Sequence, residues 1–174
     1  MNWYSMGRVD WPESVEASVP VRIDGQGTVV LAKGVKLGYR PASRLGKGTI
    51  HVQARTINSN ISIGQGTHIN NNSSFIITDS LSIGKGCLIG DRVTIFDSDF
   101  HELAPLLRHT SAGVSKPVKI GDNVWIGSSS MILKGVSIGD NTVVGAMSLV
   151  SKSLPPNCVA AGNPAKIIRF FDDN

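Results

Sequence analysis

A six-residue period between Ile120 and Val150 constrains the fold of this chain more than any other feature of the sequence. Aliphatic side chains recur at every sixth position, at Ile120, Ile126, Ile132, Ile138, Val144 and Val150. A period of six fits neither an α-helix nor a single strand, but it is three times the two-residue period of a strand. It therefore predicts short strands joined by tight turns, with three flat faces in a coil of about eighteen residues. Coils of this kind stack into a parallel β-helix.

The composition supports a narrow column of aliphatic side chains. Aromatic residues make up only 6% of the 174 residues, and large rings fit poorly into such a core. The 19 glycines and the asparagines of the repeat tolerate positive φ, which the corners of each coil require. We therefore predict one all-β domain, a parallel β-helix of about six coils.

The repeat divides the chain into three parts. Residues 1–28 show no clear period, and we predict that they form a segment capping the open end of the column. The aromatic side chains of this segment are Trp3, Tyr4 and Trp11. Residues 29–160 form the β-helix, interrupted by a loop at 97–117 where the period stops. Residues 161–174 are predicted to be an extended segment folded back over the last coil.

The repeat is less regular in the first half of the chain. We assign its inward positions to Leu31, Leu37, Leu45, His51, Ile57, Ile63, Ile69, Ile77, Ile83, Ile89 and Ile95. The period slips by two residues before Leu45 and again near the run NNNSSF, and such slips are typical of bulged corners. By this assignment His51 has a structural position in the core.

Charge and cysteine usage narrow the function classes. The net charge is +4, but the basic residues are scattered, which argues against nucleic acid and suits a small phosphorylated ligand. Cys87 and Cys158 have no metal-ligand spacing, and we predict two reduced structural thiols. The chain begins without an apolar leader and has no long apolar run, so we expect a cytoplasmic protein without stable membrane insertion.

The motifs VWIG, VVGAMSLV and AGNPAK, in this order, resemble the C-terminal coils of hexapeptide-repeat acyltransferases. The likeness covers residues 45–170 and is greatest to the sugar and polysaccharide O-acetyltransferases related to maltose and galactoside acetyltransferases. It implies a left-handed β-helix, a homotrimer, and acetyl-CoA bound between neighbouring subunits. The N-terminal helical segment typical of maltose acetyltransferases is not visible, which argues against a free disaccharide as the acceptor.

Acetyl transfer to a hydroxyl requires a base and hydrogen-bond donors for the developing oxyanion. His101 follows two aspartates in FDSDFHEL, where the resembling enzymes carry an acidic residue before their catalytic histidine, so we assign it as general base. Asp99 is the first candidate to orient its ring, while Asp97 and Glu102 remain open. By resemblance, Ser128 lies near the thioester and helps to hold the oxyanion.

The resemblance also implies binding residues. For acetyl-CoA they are Trp125, Gly127, Gly145, Ala146, Lys152, Lys166 and Arg169. For the acceptor they are Asn70, Asn72 and Asp97, and no metal is expected. Each has a purely structural alternative: subunit packing for the tryptophan, tight corners for the glycines, a solvated surface for the cations and a stabilising ladder for the asparagines.

Other functions compatible with the fold remain open at this stage. An amino-sugar N-acetyltransferase or an antibiotic acetyltransferase would need the same base. A non-catalytic trimeric scaffold would bind no acetyl-CoA. A zinc carbonic anhydrase needs three converging imidazoles, and His68, His101 and His109 lack the closely spaced pair expected of one.

Overall fold

The structure is a computed structural model that describes residues 7–39 and 48–171. The predictions that concern Trp3, Tyr4 and Leu45 lie outside these residues. Within them the regular structure consists of short strands and no helix. The strands are β1 (Arg8–Asp10), β2 (Glu16–Ala17), β3 (Val21–Gly25), β4 (Thr28–Leu31), β5 (Lys36–Leu37), β6 (Ile50–Ala54), β7 (Asn60–Ile63), β8 (His68–Ile69), β9 (Ser74–Ile77), β10 (Ser80–Ile83), β11 (Leu88–Ile89), β12 (Thr94–Phe96), β13 (Val118–Ile120), β14 (Trp125–Ile126), β15 (Met131–Ile132), β16 (Ser137–Ile138), β17 (Val143–Val144), β18 (Leu149–Val150), β19 (Cys158–Gly162) and β20 (Ala165–Phe170).

The strands form a three-sided column. Face 1 has the order β1-β4-β7-β10-β13-β16, face 2 has β2-β5-β8-β11-β14-β17-β19-β20, and face 3 has β3-β6-β9-β12-β15-β18. From β1 to β18, every third strand belongs to the same face and pairs in parallel with the strand one coil away. The described residues therefore form six coils around one core, which confirms the predicted parallel β-helix.

The periodic residues stack on one another along the column. Ile89, Ile126 and Val144 are in direct register on face 2, and each is buried. Such contact between coils is what a strict six-residue period produces when three faces close on themselves. The core is aliphatic as predicted, with the fully buried Phe75 as its largest side chain.

The column begins earlier than residue 29. Strands β1 to β3 are its first coil, and Val15, Val21 and Ile23 are buried in the core. Residues 8–25 are therefore part of the β-helix and not a separate cap, which corrects the predicted start of the β-helix at residue 29. Among the described aromatic residues of this region, Trp11 is partly buried against the core.

The repeat positions assigned to His51 and Ile57 are wrong. Strand β6 buries Ile50 and Val52, so His51 between them points outward, and its Nε2 lies 3.2 Å from the Asp24 carboxylate. Ile57 is 76% exposed in a turn. A one-residue change of register moves every side chain of a strand to its opposite face, which accounts for the error.

The last two described strands form a hairpin on face 2. Strand β19 pairs in parallel with β17, and β20 returns antiparallel along its outer edge. The predicted segment folded back over the last coil thus contains a strand of six residues, most of them exposed.

Three stacks of turns separate the faces and are named here by their contents. The asparagine corner joins face 1 to face 2 and includes residues 121–124, 139–142 and 155–157. The serine corner joins face 2 to face 3 and includes residues 70–73, 90–93, 127–130 and 145–148. The loop corner joins face 3 to face 1, where residues 97–117 leave the column.

The repeated IGDN motif builds the asparagine corner. Asn123, Asn141 and Asn157 have φ values of 54°, 59° and 58°, which asparagine tolerates better than most residues. Their side chains form a ladder: Asn123 Nδ2 donates to Asn141 Oδ1 at 2.9 Å, and Asn141 Nδ2 donates to Asn157 Oδ1 at 2.8 Å. The asparagines therefore supply both the turn geometry and a bond between coils.

Both cysteines are free and buried, as predicted. Burial raises the pKa of the Cys87 thiol, so it remains protonated, and its Sγ donates to the carbonyl oxygen of Gly121 at 3.1 Å. No helix in the described part of the chain is long and apolar enough to cross a membrane.

Candidate active site

The loop 97–117 folds back on itself and carries His101 outward. The backbone N–H of Asp99 donates to the Val114 carbonyl at 3.1 Å, and a bridge joins Ser98 to Ser115. Gly113 lies against His101 so closely that a Cβ at this position would come within 2.5 Å of the His101 carbonyl oxygen. This glycine therefore permits the close approach that shapes the loop around the histidine.

The ring of His101 is exposed, with one nitrogen already in use. Its Nδ1 lies 3.3 Å from the carbonyl oxygen of Arg108. A carbonyl oxygen can only accept, so Nδ1 carries the proton in this contact, and in the neutral ring the lone pair is on Nε2. The Arg108 side chain supports the same turn by donating to the Leu103 carbonyl at 3.0 Å.

Neither neighbouring acid that was expected to orient His101 contacts its ring. Asp99 Oδ1 lies 2.5 Å from Lys134 Nζ, while its buried Oδ2 has no hydrogen-bond partner. Glu102 accepts a hydrogen bond from the backbone N–H of Leu103. The ring's contact is instead with a backbone carbonyl, and Asp99 ties the loop to the column through Lys134.

Asp97 is shielded from any acceptor. Its residue is fully buried, and its carboxylate accepts backbone hydrogen bonds from Thr78 at 2.8 Å and Asp79 at 2.6 Å. Burial raises the pKa of the Asp97 carboxyl, and these two hydrogen bonds offset only part of that effect. The substrate-binding prediction for Asp97 is therefore wrong, since this side chain ties the start of the loop to the coil before it.

The serine corner presents small, exposed residues beside Trp125. Ser128 and Ala146 are exposed on successive coils. Within residues 7–39 and 48–171, nothing accepts a hydrogen bond from the backbone N–H or the hydroxyl of Ser128. Both donors are consequently available to a bound group.

The two glycines of this corner serve the stacking of coils. A Cβ at Gly127 would lie 2.5 Å from the backbone nitrogen of Ala146. The Gly145 N–H donates to the Ala160 carbonyl, and the Gly145 carbonyl accepts from the hydroxyls of Ser130 and Ser148. Both backbone groups of Gly145 are therefore engaged within the column, and its lack of a side chain lets the coils approach; its contact with acetyl-CoA stays a prediction.

The predicted phosphate ligands lie in two places. Lys166 and Arg169 are exposed on β20, where Lys166 pairs with Ala161, and the Arg169 guanidinium stacks at 5.0 Å on the Phe171 ring. Lys152 is exposed at the loop corner, away from them. None of the three forms an ion pair with a carboxylate of the described residues.

A groove of about 430 Å³ runs along face 2 and brings Trp125 and Asn70 together. Trp125 is 54% exposed at one end. Asn72 is not among the lining residues; it has a φ of 61° and donates to the Asp91 carboxylate at 3.0 Å, which is a corner-forming role.

Other large side chains line this groove that are not among the predicted binding residues; they include Lys36, Tyr39, His68 and Leu88. A signal for three of them exists in the repeat. Lys36, His68 and Leu88 each directly precede an inward periodic residue, as Trp125 precedes Ile126. Equivalent positions in successive coils share one outward row, so the row could have been inferred from the tryptophan alone.

The chain does not bring its predicted catalytic residues together. His101 extends from the loop corner and Ser128 lies at the serine corner, with face 3 between them. No group of three or more His, Cys, Asp or Glu side chains in the described residues is close enough to hold a metal ion.

Comparisons with known proteins agree with this architecture. The family model described as bacterial transferase hexapeptide (six repeats) matches residues 117–152. Galactoside O-acetyltransferase of Escherichia coli (strain K12) is 44% identical over 115 residues, which cover 66% of this chain and 56% of that protein. The chain spans somewhat more than half the length of the curated relatives it matches.

Two solved structures extend the comparison. A hexapeptide-repeat acetyltransferase of Vibrio cholerae, complexed with acetyl coenzyme A, is similar with a TM-score of 0.62 and 36% identity, covering 65% of this chain and 61% of that one. The polySia-specific acetyltransferase NeuO is similar over 92% of this chain and 71% of that one, with a TM-score of 0.72 and 31% identity. On these matches and on its three-sided column of coils, the chain belongs to the hexapeptide-repeat acyltransferase family of left-handed β-helix proteins.

Proposed function

We propose that the protein is an acetyl-CoA-dependent O-acetyltransferase that acts in the cytoplasm on a sugar hydroxyl of a surface polysaccharide or its precursor. The observation that carries this proposal is the exposed His101 ring, whose Nδ1 is engaged by the Arg108 carbonyl. The similarity to a galactoside O-acetyltransferase and to an acetyltransferase complexed with acetyl coenzyme A supports it.

His101 acts as the general base. Nε2 accepts the proton of the acceptor hydroxyl, and the Arg108 carbonyl stabilises the imidazolium that results, because it accepts from Nδ1–H. A base placed in this way typically contributes about 10²–10⁴ in rate.

The serine corner is the proposed binding site for acetyl-CoA. Acetyl-CoA, when bound, supplies the activated acetyl thioester. The free N–H and hydroxyl of Ser128 donate to the oxygen that gains charge during transfer. From Ser128 the corner continues over Ala146 towards Ala161 and its partner Lys166, so Lys166 and Arg169 provide cations for phosphate at the end of the column.

The proposed active site lies between two copies of a homotrimer. With a three-fold axis parallel to the column, equivalent coils of the three copies lie at the same level along that axis. The loop leaves the coil of β11 and returns before β14, so His101 of one copy reaches the level of Leu88, Trp125 and Ser128 of the next. This arrangement explains why one chain holds the two halves of the site apart.

The test is thiol release from acetyl-CoA in the presence of sugar acceptors. We expect His101→Ala to lower kcat by two or more orders of magnitude while circular dichroism shows an intact fold. His109→Ala, which removes an exposed imidazole from the same loop, is the matched control and should retain nearly full turnover. An unchanged rate in His101→Ala would remove His101 from the mechanism.

The same assay separates the remaining alternatives. Amine acceptors replace hydroxyl acceptors to test N-acetylation. A protein without affinity for CoA would be a scaffold, and its melting temperature would not rise when CoA is added.

A further inference from the structure

The groove on face 2 extends well beyond the proposed reaction site. Its outward row is in direct register through Lys36, His68, Leu88 and Trp125. Three strand spacings of about 4.8 Å separate Lys36 from Trp125, which gives a row of about 14 Å. Glu16 extends the row by one further strand.

Two glycines and an asparagine line the groove beside this row. Gly38 and Gly90 occupy the next outward positions of their coils, alongside Asn70. A Cβ at Gly90 would lie 2.6 Å from the Ser128 nitrogen, so this glycine lets the neighbouring coils approach and places no side chain over the groove. The result is a continuous channel from the reaction level towards the first coils.

The far end of the groove has a wall that is held in place. The buried Asn71 side chain accepts from the Tyr39 N–H at 2.8 Å and donates to the Tyr39 carbonyl at 3.2 Å. This pair of bonds fixes the backbone of Tyr39, whose side chain is 56% exposed. Lys36 beside it has only a weak ion pair with Glu16, at 3.8 Å between exposed groups.

The contents of the groove suit a carbohydrate chain. Trp125 and Tyr39 offer exposed aromatic surface at its two ends, and aromatic rings pack against the apolar faces of sugars. Between them, His68, Asn70 and Lys36 supply hydrogen-bonding groups for hydroxyls and carboxylates. Exposed aromatic side chains together with a few polar groups in one channel are typical of a ligand site.

The directions of the two substrates differ. The serine corner leads from Ser128 towards β20, at the end of the chain, whereas the groove leads from Trp125 towards β2. We propose that the groove is an extended acceptor site for an oligosaccharide of three or more sugar residues, with Lys36 and Tyr39 as its distal subsite. This inference rests on the proposed function and specifies its acceptor as a polymer.

The experiment uses acceptors of increasing length. Galactose oligomers and sialic acid oligomers of one to five residues are assayed with acetyl-CoA by thiol release. We expect kcat/KM to rise with length in at least one series and to level off once the distal subsite is filled. In Tyr39→Ala and Lys36→Ala, kcat/KM should fall about ten-fold more for the longest acceptor than for the monosaccharide. The control Lys33→Ala removes an exposed lysine of the same coil outside the groove and should preserve the length dependence.

The outcomes separate the two proposals. Acetylation with no dependence on length, or an equal loss for short and long acceptors in Tyr39→Ala, overturns the distal subsite and leaves the O-acetyltransferase assignment standing. A change of oligomeric state in Tyr39→Ala, measured by light scattering, would show a subunit contact instead and would also overturn it. Acetylation of no sugar of any length, with no binding by calorimetry, removes the proposed function together with this inference.

Discussion

Asp97 shows how a residue's burial can reverse the role that its neighbours suggest. An acid four positions before a polar loop histidine is easily taken for a surface group, yet its carboxylate is enclosed and bonded to two backbone amides. Because burial raises its pKa, the folded state binds the Asp97 proton more tightly than the unfolded chain. The stability from this tighter binding is full below the unfolded pKa and is lost as the pH rises through the folded pKa.

This titration predicts a pH-dependent difference between the wild type and Asp97→Asn. We expect the melting temperature of the wild type, minus that of Asp97→Asn, to fall as the pH rises from about 3 to about 7, since only the wild type ionises at this position. Calorimetric melting curves across this range measure the difference. A difference that grows with pH would mean that the two amide hydrogen bonds outweigh burial.

At the scale of single residues, the sequence predicts a role for His101 from its place where the repeat stops, and that role stays a prediction. No pattern in the sequence could reveal that the Arg108 carbonyl contacts its ring. That contact depends on the path of the loop backbone. Gly127 and Gly145 were identified as constrained, and the constraint proves to be the neighbouring coil.

At the scale of elements, the loop 97–117 is rigidly joined to the column at its base. The Lys116 N–H donates to the Asp97 carbonyl, the Gly135 N–H donates to the Lys116 carbonyl, and Lys134 pairs with Asp99. Four exposed apolar side chains lie further out: Leu103, Leu106, Leu107 and Val114. An anchored base with an apolar tip suits a loop that packs on another copy of the chain.

The anchor predicts an effect of Lys134 on turnover without a contact to substrate. We expect Lys134→Ala to lower kcat roughly ten-fold with KM for acetyl-CoA little changed, because the loss leaves Asp99 unpaired and displaces His101. Steady-state kinetics measures this. Lys134→Arg should restore much of the rate, and Lys119→Ala, an exposed lysine on β13, should resemble the wild type. A normal kcat in Lys134→Ala would show that the ion pair does not position the histidine.

The elements were predictable in proportion to the regularity of their coils. The last coils follow a strict period and were placed correctly. The first coil was missed because its sides are uneven: β2 has two residues and β3 has five, so no six-residue spacing appears. The inward position assigned to His51 was wrong for the same reason, since the five-residue strand β6 shifts the register of the repeat.

For the whole molecule, the separation of the two corners predicts that inactive variants complement each other. His101→Ala removes the base from one half of the proposed site, and Ala146→Trp fills the exposed serine corner in the other half. In trimers formed by co-expression in equal amounts, about a quarter of the sites should combine an intact loop with an intact corner. Thiol release from the mixture, compared with each variant alone, measures the recovery. No recovery in verified mixed trimers would place both halves in one chain.

The asparagine ladder gives the column a polarity along its length. Asn123 donates to Asn141 and Asn141 donates to Asn157, in the same direction, so the interior member bonds to two neighbours and each end member bonds to one. Glycine at Asn141 would keep the backbone geometry but leave both adjoining amides without this partner, whereas glycine at Asn157 would strand only one. A substitution within the ladder therefore removes two hydrogen bonds between coils, whereas a substitution at its end removes one.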